Sequence, residues 1–142
     1  LPQTRVERDF TLAHGSLRDP VWEYLLSGEQ ALVQFELQTT AFSIVGHSHL
    51  PFVFAAPPDG VPRSRPMADG DETALGDTRL IINPGSVGQP RDGDPRASYV
   101  LYDESAALLT WHRIEYDIGA TQQKIIAAGL PRWLADRLST GT

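Results

Sequence analysis

The chain has 142 residues, 41% hydrophobic and 21% charged, the make-up of one compact globular domain with enough apolar material for a core. Its net charge of −6 argues against a nucleic-acid or anionic-membrane footprint, and the absence of cysteine excludes disulfides, thiolate metal sites and cysteine nucleophiles, so any metal must use His, Asp, Glu or Asn. No window approaches the roughly eighteen consecutive apolar residues of a membrane span, the N-terminus lacks the basic start and apolar core of a signal peptide, and the expected compartment is the cytoplasm.

The chain opens on Leu1 and its one methionine is Met67, which reads as a polypeptide entered partway through its gene or after processing. Residues 5–13 alternate loosely between charged and apolar side chains, predicting a strand that delivers His14-Gly15-Ser16 at its end. Asp19-Pro20 then fits a helix start, with Val21, Trp22, Leu25 and Leu26 at helical spacing and Gly28 as terminator. Residues 29–38 predict a second helix, with Leu32, Phe35 and Glu36 about one turn apart. A short apolar run at 41–45 predicts a buried strand ending at Gly46, and 51–55 another.

Residues 57–78 carry Pro57, Pro58, Pro62 and Pro66 among glycines and acidic residues and read as a loop excursion. Residues 79–82 predict a strand entering Asn83-Pro84-Gly85-Ser86, and residues 98–102 and 108–115 alternate as an antiparallel pair turning through 103–106. Asp117 caps a helix containing Ile118, Ile125 and Ile126, and Pro131 begins another in which Leu134 and Leu138 share a face with Leu130. The fold class is mixed α and β, α/β or α+β, built mainly on one mixed or antiparallel sheet with flanking helices. Two short helices near the start look too little to cover the sheet's second face, so a further layer, from the same polypeptide or another chain, is expected there.

The most informative string is Gly46-His47-Ser48-His49, directly after the apolar run FSIV. In extended backbone, residues two apart project to one side, so both imidazoles would face one site, with Gly46 easing the turn. Taken alone the pair is equally two histidines at a surface turn. His14 ends a different strand with the same order of apolar run, histidine, glycine, and alone reads more often as a hydrogen-bonded structural residue than as a ligand. His112, inside LTWHRIEY, is the structural contrast. Arg18 and Arg91 each lie a few residues after a motif turn and suit bidentate contact with phosphate oxygens, although surface salt bridges would explain them too, with Asp92, Asp94 and Arg96 pairing locally. Asn83-Pro84-Gly85-Ser86 reads either as an anion-facing loop of backbone N–H groups or as a rigid turn.

Together, AHGSLRDPVWEYL, VGHSHLPFVF and IINPGSVGQPRDGDPRASYVLYD, in that order, resemble the C-terminal half of bacterial calcineurin-like metallophosphoesterases. The resemblance spans most of the chain and leaves 57–78 unexplained. It implies that residues 1–142 are the C-terminal part of a single domain, a four-layer α-β-β-α sandwich with its active site where strand ends of both sheets meet. It also implies two divalent ions (Mn, Fe, Zn, Ni or Co), with His14 and His47 on one and His49 on the other. Arg91 and Arg18 would then hold substrate phosphate. The family's Asp-x-His, Gly-Asp and Gly-Asn-His motifs, which precede GHSH and carry the remaining ligands and the general acid, do not occur here; Gly70-Asp71, Gly76-Asp77 and Gly93-Asp94 all follow it.

The expected function is metal-dependent hydrolysis of a phosphomonoester or phosphodiester, whether a phosphorylated small molecule, a nucleotide or a phosphoprotein, with the fragment alone inactive. Two ions held only by neutral imidazoles would repel each other, so weak metal binding is expected of the fragment. The alternatives are a non-catalytic binding or scaffold module of the same fold, against which the three histidines speak, and an autonomous three-histidine zinc hydrolase, which lacks a general base.

Overall fold

A computed structural model describes residues 2–142. Among them the chain forms nine strands: β1 (Thr4–Glu7), β2 (Phe10–Ala13), β3 (Phe42–Ile44), β4 (Pro51–Ala55), β5 (Ser64–Pro66), β6 (Glu72–Ala74), β7 (Leu80–Pro84), β8 (Ala97–Asp103) and β9 (Leu108–Ile114). Helices α1 (Gly28–Leu37), α2 (Ile118–Ala127) and α3 (Arg132–Asp136) complete it, α3 running into a short 3-10 turn.

Two sheets result: a six-stranded one in the order β1-β2-β3-β7-β4-β5 and a three-stranded one in the order β6-β9-β8. In the larger sheet β2, β3 and β7 run parallel and the flanking pairs are antiparallel; the smaller sheet is wholly antiparallel. The mixed α and β class read from the sequence is the class observed.

Strand periodicity explains the layering, because alternate residues of one strand serve different cores. Val53, Leu80 and Ile82 pack with Phe10, Phe42 and Met67 against Leu109 and Trp111 of the second sheet. Their neighbours Phe52, Phe54 and Ile81 face the other way and pack with Ala31 and Phe35 of α1 and with Leu25 just before it. The order through the molecule is therefore helix, sheet, sheet. Helix α1 begins with a capping box, the Ser27 side chain taking the Gln30 N–H and the Gln30 side chain taking the Ser27 N–H. Its buried stripe is Ala31, Gln34 and Phe35, and Glu36 lies exposed.

Three expectations change. Residues 5–13 are not one strand but the β1–β2 hairpin, with Glu7 opposite Phe10 and Arg8 in the left-handed region at φ 52°. The alternation breaks at three consecutive charged residues, Glu7-Arg8-Asp9, and the chain turns there.

No helix follows Asp19. Asp19 Oδ1 accepts from the Val21 and Trp22 N–H groups, as a helix cap would, and the Glu23 N–H reaches the Asp19 carbonyl. The carbonyls needed for a second turn are drawn elsewhere: Pro20 accepts from Gly15 N at 2.7 Å and Glu23 from Ser16 N at 3.2 Å. With Trp22 75% exposed and Leu26 54% exposed, no apolar stripe opposes that diversion.

Residues 57–78 are not a solvent loop. They contribute β5 to the edge of the larger sheet and β6 to the edge of the smaller one, and Met67 between them is 3% exposed in the core between the sheets. The segment is a strap from one sheet to the other.

Candidate metal centre

The parallel strands β2, β3 and β7 lie side by side with Leu12 opposite Ile44 and Ile44 opposite Ile82. Their carboxyl ends deliver His14, Gly46 to His49, and Asn83 to Ser86 to one rim, the position where open α/β sheets place ligands. The Gly46 N–H donates to the His14 carbonyl at 2.9 Å and the Val45 N–H to the Ile82 carbonyl at 2.9 Å, so the three strand ends are tied before any side chain takes part.

His14 Nε2 and His47 Nδ1 stand 2.8 Å apart, their rings meeting edge to face at 64°. The other face of His47 is covered by Tyr24, with ring centroids 4.0 Å apart and planes at 28°. His49 Nδ1 lies 2.6 Å from the Gln89 carbonyl oxygen. A carbonyl only accepts, so Nδ1 carries the proton and Nε2 presents its lone pair.

The extended geometry expected for Gly46 to His49 does not occur. His47 (φ 62°) and His49 (φ 60°) both occupy the left-handed region, and the Ser48 N–H closes a tight turn onto the Gly46 carbonyl at 2.7 Å. Each such non-glycine residue costs on the order of 1–3 kcal/mol and persists only where its surroundings hold it. Gly46 is not the residue that carries the strain: a methyl group there would meet the His14 carbonyl at an ordinary 3.5 Å. Between the two histidines Ser48 turns inward, where its hydroxyl accepts from Asn83 Nδ2 at 2.9 Å.

Burial pushes the His47 imidazole below its ordinary value, with the neighbouring His14 and the Arg91 charge adding to it and the Trp22 backbone and Asp19 opposing it. Burial likewise lowers His49, helped by Arg91, His47 and His14 and opposed by the Gln89 carbonyl. Both rings are therefore neutral at neutral pH, the form that binds metal.

The two arginines differ. Arg91 donates its backbone N–H to the His49 carbonyl at 3.3 Å and its Nε and Nη2 to Gln89 Oε1 at 3.2 and 2.8 Å, and its charge reaches both histidines. Arg18 lies with its fork on the Glu23 carboxylate, which also accepts from the Ser16 hydroxyl. Local pairing is as expected for Arg96, on Asp94 and Asp69, whereas Asp92 pairs with Arg113, whose side chain is 4% exposed.

The Asn83-Pro84-Gly85-Ser86 block is a rigid turn: Gly85 N–H is taken by Asn83 Oδ1, and Gly88 and Gln89 N–H groups by the Ser86 hydroxyl. His112 sits on the three-stranded sheet, stacked on Tyr99.

The donor set fits part of a metal site. Imidazole nitrogens on one tetrahedral ion at about 2.0–2.1 Å stand roughly 3.3 Å apart; His14 Nε2 and His47 Nδ1 are hydrogen-bonded at 2.8 Å, so an ion would replace the proton between them and part the rings by about 0.5 Å. The set is incomplete: among the described residues no three His, Cys, Asp or Glu side chains, the three histidines included, converge on one ion. Tyr24 and Gln89 went unread in the sequence. Nothing local to either marks it, since each acts through a contact with a histidine distant in the chain.

Residues 3–107 match the calcineurin-like phosphoesterase superfamily domain. An uncharacterized protein of Methanocaldococcus jannaschii is 37% identical over 130 residues, which is 91% of this chain and 50% of that protein. The crystal structure of a metallophosphoesterase from Sphaerobacter thermophilus superposes with a TM-score of 0.92 at 41% identity, covering all of this chain and 60% of that one. A hypothetical protein from Pyrococcus horikoshii shares the fold, with a TM-score of 0.72 at 17% identity over 52% of its length. The chain spans about half the length of the curated relative it matches.

Proposed function

The chain belongs to the calcineurin-like phosphoesterase superfamily, and from that premise we propose that it supplies the histidine side of a dinuclear metal site that hydrolyses a phosphoric monoester or diester. The observation that carries the reading is the approach of His14 Nε2 to His47 Nδ1, two ring nitrogens 2.8 Å apart on the rim of a parallel sheet. His14 and His47 would hold one divalent ion and His49, through Nε2, the other. When bound, such ions (Mn, Fe, Zn, Ni or Co) supply Lewis acidity toward phosphate oxygens and a water of lowered pKa.

The chain's own residues set the conditions for that chemistry. The Gln89 carbonyl fixes the His49 tautomer, and burial keeps both GHSH rings unprotonated. Arg91 brings a positive charge beside them while one edge of its fork is held by Gln89, which suits it to a phosphate oxygen. Arg18 could reach phosphate only by giving up Glu23.

Neutral imidazoles leave the charge of two divalent ions uncompensated, so the carboxylate ligands and the general acid would come from sequence outside these 142 residues. An open groove of about 690 Å³ between the sheets, lined by Phe10, Leu12, Ile44, Ile82, Val100 and Leu109, would receive that part of the polypeptide. The relatives, of which this chain covers 50–60%, support that occupant.

Protein expressed from its whole reading frame and supplied with Mn²⁺ is expected to hydrolyse p-nitrophenyl phosphate or its bis ester, and His49→Ala to abolish the activity. Full activity in that variant would remove His49 from the ligand set. Folded protein that hydrolyses neither ester with any of the five metals would favour the non-catalytic module.

A further inference from the structure

Resting on the reading of His47 as a metal ligand, we infer that Tyr24 is a positioning residue for it, its ring serving as a fixed wall that sets the plane of the imidazole. The ligating lone pairs of an imidazole lie in its ring plane, so the plane decides where they point. His47 starts from a left-handed backbone that does not by itself select a ring orientation. Two contacts do so. His14 meets the ring at its edge and defines a direction within the plane, and Tyr24 lies nearly parallel at 4.0 Å and prevents rotation out of it.

A wall must itself be fixed, and Tyr24 is held from both sides. Its carbonyl accepts from Gln30 Nε2 at 2.8 Å, while Gln30 Oε1 takes the N–H groups of Leu26 and Ser27 at 2.8 and 3.0 Å. Gln30 is the residue that closes the capping box of α1, so the first turn of that helix anchors the tyrosine backbone. On the N-terminal side the Glu23 carboxylate is bound by Ser16 and Arg18. On the other, Leu25 is 2% exposed in the core beneath α1. The tyrosine hydroxyl has no hydrogen-bond partner among the described residues, which places the function in the ring face.

The test is Mn²⁺ titration of the whole-reading-frame protein by calorimetry, beside the visible absorption of its Co²⁺ form and thermal unfolding without metal. Outer contacts of this kind change metal affinity about 10–100-fold, and Tyr24→Leu is expected to weaken Mn²⁺ binding about ten-fold and alter the Co²⁺ spectrum. Tyr24→Phe should retain both. Loss of affinity in the Phe variant would move the role to the hydroxyl and overturn the inference. So would wild-type affinity in Tyr24→Leu, whether or not its unfolding temperature falls. His47→Ala separates the two claims: if it binds Mn²⁺ as wild type does, the ligand reading itself fails, whereas a weak His47→Ala beside an unaffected Tyr24→Leu refutes only the positioning role.

Discussion

Asn83, with no exposed surface, donates its side-chain amide to the Ser48 hydroxyl at 2.9 Å and to the Gly46 carbonyl at 3.0 Å. It thereby holds both ends of the turn that presents His47 from the strand end next door. Its Oδ1 takes the Gly85 N–H, so one side chain braces two motif turns at once.

Asn83→Ala is expected to cost about 3 kcal/mol of stability, since it removes three hydrogen bonds, those to the Ser48 hydroxyl, the Gly46 carbonyl and the Gly85 N–H, and only the carbonyl keeps a close partner, the Ser48 N–H at 2.7 Å. Asn83→Asp should cost more at neutral pH, because it places a carboxylate against the Gly46 carbonyl. Urea unfolding of the three proteins checks both, and equal midpoints for wild type and Asn83→Ala would contradict the bracing role.

Gly85 combines φ +87° with a tight neighbour: a methyl group there would lie 2.6 Å from Ser98 Oγ and 2.7 Å from Ser98 Cβ. Gly85→Ala is expected to destabilise by about 2 kcal/mol or more through strain and overpacking together. Adding Ser98→Gly removes the clash but not the backbone strain, and gives up the 2.6 Å bond from the Ser98 hydroxyl to the Pro84 carbonyl. The double variant should therefore be more stable than the sum of the single effects predicts, without reaching wild type, as a denaturation cycle will read directly.

Glu23 titrates below its ordinary value near 4.5, mainly through the Arg18 hydrogen bond and then that of Ser16. A carboxyl whose folded pKa lies below its unfolded one stabilises the fold above the unfolded value, and the contribution fades as pH falls through the folded one. The melting temperature of Glu23→Gln should thus lie below that of wild type at pH 7, and the gap should close as pH drops below about 4. A gap that stays constant from pH 7 to pH 3 would show that the ion pair contributes nothing to folding.

Much of the site was legible before the fold. A histidine after an apolar run, GHSH after another and Asn-Pro-Gly-Ser after a third are local signals, and β2, β3 and β7 bring all three to one rim. The capping box of α1 was local too, within Ser27 and Gln30. The role of Tyr24 was not legible, because its meaning lies in a ring on another segment. Nor were the strands β5 and β6 within 57–78, whose proline and glycine content is that of a loop and whose pairing partners are the edges of two different sheets.

The sequence by itself determined the family and the mixed class, and it marked three histidines at the ends of two apolar runs, because these rest on residue types in fixed order and on periodicity within single elements. Tertiary structure decided what depends on competition between distant hydrogen-bonding groups. The turn after Asp19 failed to become a helix because Gly15 and Ser16 captured its carbonyls. The backbone at His47 and His49 turned left-handed on a rim where Asn83, Tyr24 and Gln89 hold it. A local pattern states which conformations a segment tolerates; the partners that the fold brings to it select among them.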